Sequence, residues 1–350
     1  MSTGAVQNWQ REFGLEEKRP PTFFSNLEDV NTAGSKAPQP HVLRRAFEYL
    51  KLDGILCQDK APVIYFRVIE QIDNDTVMEL HRRFWNQGVA PILVLIAPKE
   101  IHIYSGLSQP SDPGASTATG FVEKLGRVTN ELQKFIIAVE SGEYFHKHRR
   151  SFNPKQRVDR NLLRHLQAAR ERLDEVQNNG RLEPYTLDAL LCRLVFTCYL
   201  FDRKIIDQKY LKNIDIHDAE HLRDILARKP KNEAKTNLYK LFAQLGQDFN
   251  GDLFSDDLEA EARQIKAGHL DILNGFFHGT DPITGQQSFW PYDFEIIPIE
   301  TISAIYEHFL KIAGEKEKKK AGVFFTPRFL AEIVLDRVLY GVKSLLGKRF

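Results

Sequence analysis

Ile92-Leu93-Val94-Leu95-Ile96-Ala97-Pro98-Lys99-Glu100-Ile101-His102-Ile103-Tyr104 is the stretch from which the fold is read. Five consecutive apolar residues describe a strand buried on both faces, and the alternation that follows describes a strand with one covered face. Ala97-Pro98-Lys99-Glu100 supplies the turn, so the whole reads as a β-hairpin. Just upstream, Val77, Leu80, Phe84 and Trp85 recur at helical spacing over 76–85, with Asp75 as the expected N-cap. Before that, Pro62-Val63-Ile64-Tyr65-Phe66-Arg67-Val68 has the β-branched and aromatic content of a buried strand. It is preceded by a short strand over 54–57 and a helix over 42–50. These elements predict a small α/β domain over 41–145.

Outward from that domain the composition changes. Residues 1–40 are polar and broken by Arg19-Pro20-Pro21 and Ala33-Gly34-Ser35, so a flexible arm is expected. Residues 108–120 are rich in Ser, Pro, Gly and Thr and read as a loop, and 121–137 returns to helical periodicity. Beyond Tyr144 nearly everything is helical. Leu162, Leu166, Ala169, Leu173 and Val176 repeat at three and four residues and stop at Asn178-Asn179-Gly180. The next helix, from about Thr186, is apolar on most faces and belongs at the centre of a bundle. The fold class is therefore α+β, with a helical connector domain over 146–300.

The bulk properties narrow the function. The 350 residues carry a formal net charge of +1, with 42% hydrophobic and 27% charged residues. Such a balance excludes a strongly basic protein, so nucleic-acid binding has to come from a local patch. No uninterrupted apolar run approaches the roughly 20 residues of a membrane span. Cys57, Cys192 and Cys198 form neither a Cys-x-x-Cys pair nor a disulfide framework, which fits a reducing cytoplasm.

Several constellations are candidates for chemistry. His146, Lys147, His148, Arg149, Arg150, Lys155, Arg157, Arg160 and Arg164 form a basic stretch suited to phosphates, with Arg149, Arg150, Lys155 and Arg157 the expected DNA contacts. His217-Asp218-Ala219-Glu220-His221 matches the H-x-x-E-H pattern of inverted zinc peptidases, with a solvated helix start near Asp215 as the plainer alternative. Asp248, Asn250, Asp252, Asp256 and Glu259 fall on calcium-loop positions, but Leu253 stands where that loop needs Gly. A restriction-type nuclease needs an Asp and then Glu-x-Lys on a neighbouring strand. The strand after Asp53 reads Tyr65-Phe66-Arg67, and Glu70 lies beyond its end, so the α/β domain is at most a degenerate nuclease-like or accessory domain. Asp112-Pro113-Gly114-Ala115-Ser116 lacks the flanking strand and helix of a cofactor turn and reads as loop.

The C-terminal part of the chain carries a resemblance. Ile297-Pro298-Ile299-Glu300-Thr301-Ile302-Ser303-Ala304-Ile305-Tyr306-Glu307-His308-Phe309-Leu310 is followed, after a Lys-rich gap, by Gly322-Val323-Phe324-Phe325-Thr326-Pro327-Arg328-Phe329-Leu330. This resembles the entry into the catalytic domain of the adenine-N6 DNA methyltransferases of restriction–modification and phage-defence systems, the Type IIG-like enzymes, at the turn called motif ten. The resemblance extends to Asn250-Gly251-Asp252-Leu253-Phe254, Trp290-Pro291-Tyr292-Asp293-Phe294 and the apolar helix from Leu190 to Leu200, and less specifically to residues 81–104. It implies that residues 301–350 begin a methyltransferase domain. It also implies that Phe325, Thr326 and Pro327 edge an S-adenosylmethionine pocket, where Thr326 suits a helix cap and Pro327 a first helical turn.

The family's D-P-x-C-G-x-G cofactor strand and Asn-Pro-Pro-Tyr/Phe tetrad do not occur in this sequence; the one Asn-Pro, Asn153-Pro154, is followed by Lys155. Without the tetrad nothing holds a flipped adenine for methyl transfer. The expectation is therefore an N-terminal part or split subunit, incomplete as a catalyst alone. Its expected partners are DNA and a downstream methyltransferase polypeptide or other defence-system subunits. The alternatives are a non-enzymatic scaffold of a defence complex and a zinc metallopeptidase using His217, Glu220 and His221.

Overall fold

The computed structural model describes residues 8–59, 61–112, 115, 118–176, 182–249, 252–254 and 257–312. The first half contains α1 (Trp9–Glu12), β1 (Phe23–Phe24), α2 (Leu27–Ala33), α3 (Pro40–Leu50), β2 (Gly54–Gln58), β3 (Ala61–Val68), α4 (Asn74–Gln87), β4 (Ile92–Ile96), β5 (Ile101–Ser105), β6 (Phe121–Leu125), α5 (Thr129–Glu140) and α6 (Glu143–Lys147). The strands lie in one sheet in sequential order, and every pairing is antiparallel except β3 with β4. Helix α4 provides the crossover that a parallel pair requires.

Period-two alternation assigns the layers. Ile64 and Phe66 of β3 and Ile92, Val94 and Ile96 of β4 face α1 and α5, where Phe13, Leu132, Phe135 and Val139 cover them. Tyr65, Leu93 and Leu95 face α2, α3 and α4, where Val30, Leu43, Phe47, Val77 and Phe84 cover them. The unbroken apolar run of β4 follows from this position, because all five of its side chains are buried. The chain is thus α+β, and its hairpin β4–β5 pairs Ile92 with Ser105 through Ile96 with Ile101.

The second half contains α7 (Val158–Asp174), α8 (Pro184–Asp202), α9 (Gln208–Asn213), α10 (Leu222–Ala227), α11 (Lys231–Phe249), α12 (Leu258–Gln264), α13 (Ala267–Phe277) and α14 (Ile299–Ile312). Among the described residues α8 is the one helix long and apolar enough to cross a membrane, yet most of it is buried inside the helical core. Its charges are matched there. Asp188 pairs with Arg170, and the fully buried Arg193 pairs with Glu261, which also accepts from Tyr239 Oη at 2.8 Å.

A strap at 290–297 joins the two halves. Asn86 of α4 donates to the Pro291 carbonyl at 2.8 Å and accepts from the Asp293 amide at 2.9 Å. Asp202 of α8 accepts from the Phe294 amide at 2.9 Å, and Arg45 of α3 donates to the Glu295 carbonyl at 2.6 Å.

Three expectations are corrected. The stretch 8–40 is not a loose arm: Trp9, Phe13, Leu15, Phe23, Phe24 and Val30 are buried, and β1 pairs with β2. Those six apolar side chains outweigh the local Pro and Gly content. Residues 121–137 are not one helix but β6 followed by α5, because the free edge of β5 captures 121–125 and Gly126 ends the strand. Helix α4 is capped by Asp73, whose carboxylate accepts from the Thr76 amide at 2.9 Å, and Asp75 lies within its first turn.

Candidate nucleic-acid interface

The basic stretch runs from the end of α6 into α7, and buried anchors alternate with its cations. Phe152 is buried against Tyr144 and Phe145, with ring centroids at 6.0 and 5.0 Å. The Ser151 carbonyl accepts from Ser105 Oγ at 2.6 Å, and the Gln156 carbonyl accepts from Trp85 Nε1 at 2.9 Å. Val158 is buried at the start of α7. Between these anchors Arg149, Arg150 and Lys155 are exposed, and Arg160 and Arg164 continue on the exposed side of α7. Arg160 and Arg164, four residues apart on α7, share one helix face, and Arg157 is the residue that precedes the helix at its N-cap.

The pairing of these cations divides them. Arg149, Arg150, Lys155, Arg160 and Arg164 make no ion pair with a described residue. Arg157 holds Asp159 at 3.2 Å, and His148 faces Glu123 at 3.6 Å. Elsewhere some arginines are matched, Arg82 with Glu79, Arg127 with Glu12 and Arg228 with Glu233, while Arg45 and Arg203 donate to backbone carbonyls. What sets residues 149–164 apart is that five exposed cations without an ion pair to a described residue lie close together in one stretch. They are what backbone phosphates would replace acidic partners at.

Arg157 also lines a cleft of about 340 Å³ between α3, the end of α4, the start of α7 and the start of α14. Gln39, His41, Gln87, Asp159 and Glu300 contribute to its walls, and His41 lies 3.9 Å from Glu300. The wall is built from four separate stretches of chain, so no local sequence signal announces it.

The other candidates fall apart geometrically or lie elsewhere. His217 and Glu220 sit in a turn, not on a helix, and α10 begins only at Leu222 with His221 as its N-cap. Asp224 accepts from the amides of Glu220 and His221, both at 2.8 Å, while His221 Nε2 reaches Asp202 at 3.0 Å. The expected helix start near Asp215 is also displaced, because Asp215 and Asp218 adopt positive φ. The zinc-peptidase arrangement, two His one turn apart on a helix, is not formed. Among the described residues no group of three His, Cys, Asp or Glu is placed to share a metal.

Asp248 accepts from Tyr210 and from Gln244, and Asp257 caps α12, whereas Asn250, Gly251 and Asp256 lie outside the described residues. Asp53 accepts from the Val68 amide at 2.7 Å and faces Arg67 at 3.8 Å, so the neighbouring strand offers it a cation where a nuclease needs a second carboxylate. Burial raises its pKa. Asp112 accepts from Ser288 Oγ at 2.6 Å; Pro113, Gly114 and Ser116 are outside the described residues. Phe325, Thr326 and Pro327, the motif-ten residues, likewise lie outside the described residues, as does the whole of 313–350.

Comparison with protein-family models, with curated proteins and with solved structures yields no significant match.

Proposed function

We propose that this chain supplies DNA binding and subunit assembly to an S-adenosylmethionine-dependent adenine-N6 DNA methyltransferase of a restriction–modification or phage-defence system. It acts in the cytoplasm, with DNA and a tetrad-bearing methyltransferase polypeptide or other defence-system subunits as partners. The observation that carries this reading is the set of five exposed cations, Arg149, Arg150, Lys155, Arg160 and Arg164, left without acidic partners among the described residues of a protein whose net charge is only +1. The motif-ten resemblance adds the reaction class. It assigns Phe325, Thr326 and Pro327 to the edge of the cofactor pocket, with the catalytic tetrad contributed by sequence other than these 350 residues. The sheet domain is accessory in this reading, since Asp53 faces Arg67 and not an acid.

Fluorescence anisotropy of a labelled duplex, titrated at several salt concentrations, tests the DNA reading. Each engaged phosphate contributes about −0.9 to the slope of log K against log salt, so the triple variant Arg149→Ala/Arg150→Ala/Lys155→Ala is expected to flatten that slope by roughly 3. An unchanged slope and affinity would leave a scaffold of a defence complex as the better description. Calorimetric titration of S-adenosylmethionine into this chain, alone and mixed with a tetrad-bearing polypeptide, tests the cofactor assignment. Binding that appears only in the mixture supports it, and binding indifferent to this chain removes it.

A further inference from the structure

The loop between α13 and the strap holds an isoleucine outward. Thr280 and Gln287 bridge its base, and the Asp281 carbonyl accepts from the Gly285 amide at 2.8 Å. The Asp281 carboxylate accepts from the amides of Ile283 and Thr284 at 2.7 and 2.9 Å. Burial alone would raise the Asp281 pKa, but these amides outweigh it and the net shift is downward. The acid is thus spent inside the loop. At its apex, after Pro282, Ile283 is 51% exposed. These bonds fix the loop backbone in the position that presents Ile283 to solvent.

The loop rests on α7, the helix that carries the unmatched arginines. His165 and Asp281 share one small cavity, with Pro282 beside them. Gly285, at φ +77°, is so close to α7 that an added Cβ would lie 3.1 Å from Arg172 Nη2. Arg164 and Arg172, two turns apart on α7, make no ion pair with a described residue; Glu171 is the exposed acid between them. The loop that carries this apolar residue is thereby seated on the helix that carries the cations, and apolar side chains combined with cations are what architectural proteins use to part a base step while holding the flanking phosphates.

We propose that Ile283 is a wedge that inserts at a base step of duplex DNA held by the arginines of α7, and bends it. This rests on the DNA-binding reading above. The test uses the full chain and a duplex of about 30 base pairs carrying a donor and an acceptor at its ends, with anisotropy read in parallel. The wild-type chain is expected to raise energy transfer on binding. Ile283→Ala should bind with the same salt slope but lose at least half of that rise, and Ile283→Leu should keep it. Binding by the wild-type chain without any rise, or an equal rise in Ile283→Ala, overturns the wedge and leaves DNA binding intact. Absence of duplex binding by the wild-type chain overturns both.

Discussion

His81 is almost wholly buried on α4, and its Nε2 donates to the Ser105 carbonyl at 2.9 Å, so the neutral ring carries its proton on Nε2. Burial pushes its pKa down to about 4, against about 6.5 in an unfolded chain. Between those values the unfolded chain binds the proton and the folded chain does not. Stability is therefore full above about pH 6.5 and falls as the pH drops toward 4, by at most about 3 kcal/mol from this residue. His165 and His269 are shifted the same way by burial, whereas Asp53, Asp188 and Asp293, raised by burial, act in the opposite sense at lower pH. His81→Gln keeps a donor for Ser105 and removes the titration. Urea unfolding at pH 7 and pH 5 should show a smaller pH-dependent loss in this variant than in the wild-type chain, and an identical loss would mean that His81 is not the group responsible.

The strap at 290–297 is irregular chain that gains its order from side chains on three helices. Asn86 is the most demanding of them, because it is fully buried and its amide satisfies both the Pro291 carbonyl and the Asp293 amide. Asn86→Ala leaves two buried backbone groups unpaired, each at about 1–3 kcal/mol, so a loss of roughly 2–6 kcal/mol is expected. A urea midpoint within 0.5 kcal/mol equivalents of wild type, roughly the scale of a surface change, would show that water replaces the amide.

Elements differ in how far their sequence reveals them. The hairpin β4–β5 is legible because its burial is two-faced then one-faced, and α8 because nearly every face is apolar. The segments 8–40 and 121–125 are not, since their order comes from pairing with β2 and β5 across the sheet and leaves no periodic local signal. The candidate interface is half legible. Its cations form one run in the sequence, but the ion pair that sets Arg157 apart from Arg149, Arg150 and Lys155, and the seating of the 280–287 loop on α7, exist only in three dimensions.

At the scale of the whole molecule the sheet and the helical bundle are built to unfold together. Trp85, from the sheet's own helix α4, is fully buried in the helical core, 5.7 Å from the Tyr292 ring, and donates to the Gln156 carbonyl. The strap adds Arg45 from α3 on one side and, on the other, Asp202 at the end of α8 and Arg203 just after it, with Arg203 donating to the Phe294 carbonyl at 3.1 Å. Melting either half would strip apolar cover from Trp85 and break the strap, which couples the two transitions. Calorimetry of the wild-type chain is therefore expected to give one transition whose calorimetric and van't Hoff enthalpies agree. Trp85→Ala, at a cost of about 3–5 kcal/mol, should separate it into two, because it removes the largest side chain shared by the halves. The same variant should weaken DNA binding, since Trp85 holds the segment between Lys155 and Arg157 through the Gln156 carbonyl. Two transitions already present in the wild-type chain would sink the idea of a single cooperative body. A single transition that survives Trp85→Ala would place the coupling in the strap alone.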